Sequence, residues 1–382
     1  MKIYYTSENK MYVTDTRSEP KEFVSQKIET YKKNISEIRQ KSEWKHSGTG
    51  AAFTGTLRNL SDNEELNAYV CGLAAAPDGR LIYSVLTGEV GGLYYKSENG
   101  DENHITAAQN FQPFEMDCRD GKLALSVEYG GGTRHISVYD LSSGNLTELT
   151  DGDTLEECPC WSETGKELYF STAGIGRNSQ GIAAAVSPRE ISVYSFEKNE
   201  MTELCNSETV DYICPRIGKD GTLYYIKRPY KSGDDGNFWL DFLLFPVRII
   251  KAIGGLLNAF SIMFGGESLS SDGKSFHNPL KAKQKDDKEL FIAGNIINAE
   301  KTEKANRKHG DKNPGIIPHS WQLVRRNHLG EEEIVRKGVM DYSFTSDGSL
   351  IVSDGKHLLK LSEGKEEILC KCRLAQNIVA IE

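Results

Sequence analysis

The sequence predicts an all-β protein: a single six-bladed β-propeller, closed by pairing of its N- and C-terminal strands and carrying helical insertions. Three observations lead there. A strand–turn–strand pattern recurs five times along the 382 residues. Each copy is followed by a second alternating pair, which makes a four-stranded unit of about 40–45 residues, the size of a propeller blade. The two chain ends supply complementary halves of a sixth unit.

The five copies are YVCGLAAAPDGRLIYSV from Tyr69, FEMDCRDGKLALSV from Phe114, ECPCWSETGKELYFST from Glu157, YICPRIGKDGTLYYIK from Tyr212 and MDYSFTSDGSLIVSD from Met340. Each turn carries Asp-Gly or a similar pair, and such residues tolerate the positive φ of a tight hairpin. The pairs that follow are alike too: ISVYDLSSGNLTEL (Ile136 to Leu149) and ISVYSFEKNEMTEL (Ile191 to Leu204) are near copies. The chain finishes NIVAIE, a strand with no hairpin partner after it, and starts KIYYTSENKMYVTDT, a pair with no inner strand before it. Placing the last strand beside the first pair completes a blade and removes the free sheet edges that invite aggregation.

The segment CPCWSETGKELYFST is similar to the repeat of TolB-like propellers, also called WD40-like or PD40 repeats, of form Pro-x-Trp-Ser-x-x-Gly-Lys-x-Leu-x-Phe. Pro159, Trp161, Ser162, Gly165, Lys166, Leu168 and Phe170 match it. The other copies match mainly at the turn and the following Leu. The resemblance covers most of the chain outside its insertions. It implies the fold, which hosts binding proteins, scaffolds and enzymes alike. TolB-like proteins of the bacterial envelope carry an export signal. MKIYYTSENKMYV shows no long apolar run and no small-residue cleavage site, so the expected location is the cytoplasm, peripheral on the inner face of the membrane where an insertion docks there.

Composition agrees with a globular protein: charged residues are 26% and hydrophobic ones 38%. A formal charge of −9 argues against a general nucleic-acid binder, which needs a basic face to neutralise phosphates. The eight cysteines do not have the spacing of a small secreted disulfide scaffold. Cys158-Pro-Cys160 and Cys370-Lys-Cys372 are CxC pairs, whereas structural zinc usually shows two CxxC pairs with His or Cys partners. On a strand, positions i and i+2 share a face, so each pair equally suits two small buried side chains. Reduced structural cysteine is the expectation, with no metal site and no cofactor.

Three segments interrupt the repeat. In PKEFVSQKIETYKKNISEIRQKSEWKHSG, spanning 20–47 within the closing blade, Val24, Ile28, Tyr31, Ile35 and Ile38 recur at spacings of one helical face. That helix either packs on the propeller or offers a short coiled-coil face. AGIGRNSQGIAAAVSPRE, from Ala173, falls between the second and third strands of blade three. It lacks the Gly-Lys-Ser/Thr of a phosphate loop and reads as a flexible loop. The largest insertion, 229–320, separates the second and third strands of blade four. Such connections emerge on one face of a propeller, so the second and third insertions are predicted to project side by side.

The large insertion contains NFWLDFLLFPVRIIKAIGGLLNAFSIMFGG, Asn237 to Gly266. Phe238 to Phe264 is long enough to cross a bilayer, but two arguments oppose a span. Its flanking strands are neighbours in one blade, so the chain must return to the same side, and LFIAGNII is too short for a second crossing. Asp241, Arg248, Lys251, Gly255 and Asn258 also fall on one narrow helical stripe. Charges at the bilayer centre each cost about 2.5–3.5 kcal/mol, a cost that an interfacial helix avoids. The wide apolar face comprises Phe238, Trp239, Phe242, Leu243, Phe245, Ile249, Ile250, Ile253, Leu256, Leu257, Phe260 and Met263. Pro246 marks a kink or fresh start. The insertion is slightly basic on an acidic body, which is oriented correctly for anionic lipid, although Lys281, Lys283 and Lys285 read first as a solvated linker. The same face could fill a groove on a protein partner, pair with itself in an oligomer, or cap its own propeller.

Catalytic motifs are missing: there is no Gly-x-Ser-x-Gly, His-Glu-x-x-His or P-loop. The inner strands supply Cys71, Cys118, Cys158, Cys160 and Cys214, with Glu157 and Asp341 as the nearest carboxylates, a poor set for a hard cation. His277, His309 and His319 read as ordinary loop histidines. The expected function is therefore a non-enzymatic scaffold or binding propeller that docks on a membrane surface or protein partner through 238–264, with no nucleic acid involved. The alternative is a channel-site enzyme or small-ligand binder, such as a lactonase- or dehydrogenase-like propeller.

Overall fold

Alternating apolar residues at the N-terminus form β1 (Lys2–Ser7) and β2 (Lys10–Thr14), followed by β3 (Lys21–Phe23). The computed structural model describes residues 1–15, 18–42, 68–97, 100–129, 132–179, 181, 183–230, 289–292, 295–362 and 364–382. Helix α1 (Gln26–Ser42) comes next. The reading of 20–47 as one helical insertion is corrected at its start, because Lys21–Phe23 pairs with β2 as the outer strand of the closing blade. Of the predicted stripe, Ile28 is buried against Tyr83 and Leu81, Tyr31 and Ile35 are half-buried, and Val24 and Ile38 are exposed.

Blade one consists of β4 (Ala68–Ala75), β5 (Leu81–Thr87), β6 (Val90–Lys96) and β7 (Glu102–Gln109). Blade two consists of β8 (Gln112–Arg119), β9 (Lys122–Tyr129), β10 (Thr133–Asp140) and β11 (Leu146–Glu148). Blade three is β12 (Thr154–Trp161), β13 (Glu167–Arg177), β15 (Glu190–Ser195) and β16 (Glu200–Cys205), with β14 (Ala183–Val186) extending β13 as a hairpin. Blade four is β17 (Val210–Ile217), β18 (Leu223–Pro229), β21 (Gln322–Arg326) and β22 (Glu332–Lys337). Its insertion contributes β19 (Glu289–Ile292), β20 (Asn295–Asn298) and α2 (Ala299–Lys308). Blade five is β23 (Asp341–Phe344), β24 (Leu350–Ser353), β25 (His357–Ser362) and β26 (Lys365–Lys371). The last strand, β27 (Gln376–Ile381), lies antiparallel to β1 with Tyr4 opposite Val379. The propeller is thus six-bladed and closed by its two terminal strands.

The core follows from this ring. Second strands such as β5 (LIYSVLT) are buried along their whole length, because a neighbouring blade covers each face. Outer strands such as β22 are largely exposed and charged. Six apolar clusters each fill one blade–blade interface. Leu125 and Met116 meet Leu93 and Ile82 between blades two and one, and Phe170 and Trp161 meet Ile136 and Ala124 between three and two. Ile3 and Tyr5 meet Ile351 and Leu358 across the final interface. Burying a large apolar side chain contributes about 1.5–3 kcal/mol, and no interface lacks such residues.

The hairpin turns of the five repeats place Gly79, Gly121, Gly165, Gly221 and Gly348 at φ between 67° and 83°, where a β-carbon would be strained. The blade-three insertion is not a flexible loop as read. Its Ala183–Val186 pairs back on the extended β13, and Ala173, Ile175 and Ala183 bury against Leu155.

Candidate functional site

Period-two alternation breaks on the inner strands. The register shifts between Val70 and Leu73, Pro113 and Glu115, Glu157 and Cys160, and Ile213 and Arg216, and again where Tyr4 and Thr6 face β27. Each β-bulge turns side chains out of the blade and toward the channel. At three of these places the residue is left-handed without being glycine: Cys158 (φ 54°), Cys214 (φ 53°) and Asn377 (φ 50°). Asn377 Nδ2 uses that geometry to donate to the Cys71 carbonyl (2.8 Å) and to Thr6 Oγ1 (3.1 Å).

Blades two to four line one side of the channel with alternating acids and guanidinium groups. Arg134 of β10, 7% exposed, reaches Glu128 (3.3 Å), Glu157 (3.3 Å) and Glu115 (3.5 Å), and its guanidinium lies 4.0 Å over the Phe114 ring. Arg189 Nε donates to the other oxygen of Glu157 at 2.8 Å, and its backbone N–H donates to Asp211 at 2.9 Å. Asp211 also accepts from Arg228 Nε at 3.0 Å, and the Arg228 guanidinium stands 4.6 Å from the Trp321 ring. The chain of charges thus crosses three blades. Burying such charges is tolerable only when they are paired and hydrogen-bonded.

The environments of these carboxyl groups diverge. Burial pulls Glu157 upward, but Arg189 and Arg134 outweigh it and hold the group below its ordinary value. Burial pushes Glu115 up to about 7, with Arg134 opposing. Burial likewise raises Glu128, Asp117 and Asp341, against Arg134 in the first case and Arg216 in the other two. The inner strands are therefore richer in carboxylates than Glu157 and Asp341 alone: Glu115, Asp117 and Asp211 also stand on them, and Glu156 accepts instead from the Ile136 N–H at 3.1 Å. Several of them are met by arginine. Among the described residues, no group of three or more His, Cys, Asp or Glu is arranged to hold a metal ion.

Above Glu115 and Arg134 lies a chamber of about 350 Å³, lined also by Thr6, Tyr69, Cys71 and Asn377 and touched by Ile292 of the blade-four insertion. That insertion packs on this face of the ring. Ile292 and Ile297 of its hairpin cluster with Ile317, Trp321 and Met340. Asn298 caps α2 by accepting from the Lys301 N–H at 2.9 Å, and basic Arg307 and Lys308 sit at its other end. Buried Asn306 ties the helix to the returning chain through the carbonyls of Gly315 (3.0 Å) and Ile317 (2.8 Å). The blade-three hairpin stands beside it: Tyr230, where the insertion leaves β18, donates its hydroxyl to the Val186 carbonyl at 2.6 Å.

The twelve apolar residues from Phe238 to Met263 and His277 lie outside the described residues. The His309 and His319 rings meet tilted, with centroids 5.3 Å apart, and His319 Nε2 lies 2.8 Å from Asp311. His319 therefore has an acid partner in Asp311. One CxC pair, Cys158-Pro-Cys160, differs from the shared-face reading. The bulge separates Cys160, buried in the blade, from Cys158, which turns to the channel. No sequence signal marked Arg134, Arg189, Arg216 and Arg228 as interior, apart from their position among alternating apolar residues. Among the described residues, no helix is long and apolar enough to cross a membrane.

These features define the class of protein: a six-bladed β-propeller with a decorated face. The chain is similar to the crystal structure of TolB from Acinetobacter baumannii, at 11% identity and a TM-score of 0.50, over 99% of this chain and 65% of that one. The chain thus spans slightly less than two thirds of that structure's length. A protein assigned as TolB from Agrobacterium tumefaciens aligns at 12% identity and a TM-score of 0.42 over 81% of this chain and 83% of the other. A protein assigned as a gluconolactonase aligns at 11% and 0.41, over 83% and 80%. No family model and no curated protein matches the sequence.

Proposed function

We propose that this is a non-enzymatic binding propeller that docks on a membrane surface through the amphipathic segment 238–264 of its blade-four insertion. One observation carries the reading. Both roots of the insertion, β18 ending at Pro229 and β21 beginning at Gln322, belong to one blade, and its described part packs beside the channel mouth. A segment launched from there has the ring as a rigid platform. The unbroken apolar face and the +2 charge balance of 229–320 suit an anionic lipid surface.

The test is liposome flotation of the purified protein with anionic and neutral vesicles, beside a Phe242→Glu, Leu256→Glu double variant. Flotation of the wild type, lost in the variant, is the expected result. If the wild type stays at the bottom while the variant changes oligomeric size, the segment is a protein interface and the membrane reading fails. A second reading, a small ligand held at the channel mouth, is favoured by the chamber over Glu115 and Arg134. It predicts a bound small molecule in purified protein that Glu115→Gln releases.

A further inference from the structure

Two of the five channel bulges carry the same dipeptide. Cys158-Pro159 on β12 and Cys214-Pro215 on β17 sit at the register shifts of adjacent inner strands. Both cysteines are left-handed, at 54° and 53°, and the following proline removes the N–H that would restore the ladder. Both residues are half-buried. Their sulfurs are 3.0 Å apart. A disulfide of about 2.05 Å needs a further approach of only about 1 Å.

The backbones around them are held. The Cys214 N–H donates to Ser171 Oγ at 3.1 Å, and the Tyr342 hydroxyl donates to the Cys214 carbonyl at 2.8 Å. Arg216 Nη1 donates to the Pro159 carbonyl at 3.3 Å. The thiols are therefore presented to each other by fixed strands rather than by a chance side-chain encounter. The hydrogen bond with Cys214, and then burial, raise Cys158 well above an ordinary thiol. The thiolate is the nucleophile, so burial favours a small oxidant over a bulky disulfide and slows the reaction near neutral pH.

We propose that Cys158 and Cys214 form a modification site: a channel-facing dithiol that hydrogen peroxide or another small hydroperoxide converts reversibly into a disulfide joining blades three and four. One sulfur attacks the peroxide O–O bond, becomes a sulfenic acid and releases water (or the alcohol of an organic hydroperoxide). The second sulfur then displaces the sulfenic oxygen as water. Two thiols lose two electrons and two protons, and the peroxide takes up both. A small dithiol reverses the step by exchange. The bond closes a loop between positions 56 residues apart and staples the two blades that carry the neighbouring insertions.

The test uses the full chain. Reduced protein is exposed to hydrogen peroxide, quenched, alkylated and digested under acid, non-reducing conditions for mass spectrometry. The expected product is a peptide pair linking Cys158 to Cys214, removed by dithiothreitol. Oxidised wild type is expected to melt about 5 °C higher than reduced, given the length of the closed loop. Cys158→Ser and Cys214→Ser each lose both link and shift, whereas Cys160→Ser keeps them. The proposal is overturned if both thiols of folded, peroxide-treated wild type remain alkylatable. Sulfinic or sulfonic acids without a link, or a link from Cys158 to Cys160 instead, also overturn it. A Cys158–Cys214 link without a rise in melting temperature overturns the staple.

Discussion

The blade interfaces and the channel wall are two interiors built on opposite rules. Between blades, the side chains are apolar, and clusters such as Phe170–Trp161–Ile136 fill the space. Along the channel, alternation is broken by bulges, and the buried groups are charged and paired through Arg134, Arg189 and Arg228. The first interior is held by area removed from water. The second stays folded only while each charge keeps its partner. Cohesion is thus distributed over many interchangeable contacts in one region and concentrated in a few irreplaceable ones in the other.

Single substitutions make the contrast measurable. Arg134→Met leaves Glu128, Glu115 and Glu157 short of a cation and is expected to cost about 3–5 kcal/mol in chemical denaturation at pH 7.5. Phe170→Ala opens a cavity in the apolar interior and is expected to cost a similar amount, about 3–5 kcal/mol. The two should part company with acid. Below pH of about 5 the stranded carboxylates protonate and the Arg134→Met deficit shrinks, whereas the Phe170→Ala deficit stays. Equal pH profiles would break the distinction.

Glu115→Gln should act more mildly. Burial lifts Glu115 to about 7, so between its ordinary value and that one the folded protein keeps a proton that the unfolded chain has released. This contribution is fully present at low pH and is lost as pH rises through about 7. The variant should match wild type at pH 5 and exceed it by about 1–3 kcal/mol at pH 8. Melting curves at the two pH values decide this. A variant less stable than wild type at pH 8 would show that the Arg134 contact dominates.

The smallest effect concerns a bulge. Asn377→Gly keeps the left-handed backbone and loses two hydrogen bonds, for about 1 kcal/mol. Asn377→Ala adds backbone strain and should cost about 1–2 kcal/mol more. If alanine is tolerated as well as glycine, the bulge is not conformationally demanding.

The same contrast explains what the sequence made legible. Strand order, blade number and closure rest on period two and on Asp-Gly turns, and both survive into the fold. The channel wall depends on where alternation fails. Glu115 and Asp117 lie within a stretch quoted for its repeat, yet a period-two reading gives no hint that Phe114 bulges and aims Glu115 at Arg134. Cys158 and Cys160 look like one face of a strand until the bulge separates them. His319 finds Asp311 across a loop whose path no local pattern specifies. The apolar stretch from Phe238, the strongest feature of the sequence, is read from helical spacing alone.

The pairing of β1 with β27 has a consequence in time. The edge of β1 has its partner 370 residues or more further along the chain, as with Thr6 and Gln376. During synthesis, blades one, two, three and five can each form as their strands emerge, since their pairings are local, whereas blade four must wait for β21 beyond its insertion. The first hairpin must wait, with an unsatisfied edge, until β27 is available to pair with it. Contacts of such separation are slow to form, and an open edge is vulnerable while it waits. The pairing of β27 therefore decides whether the ring shuts on itself or on a neighbour.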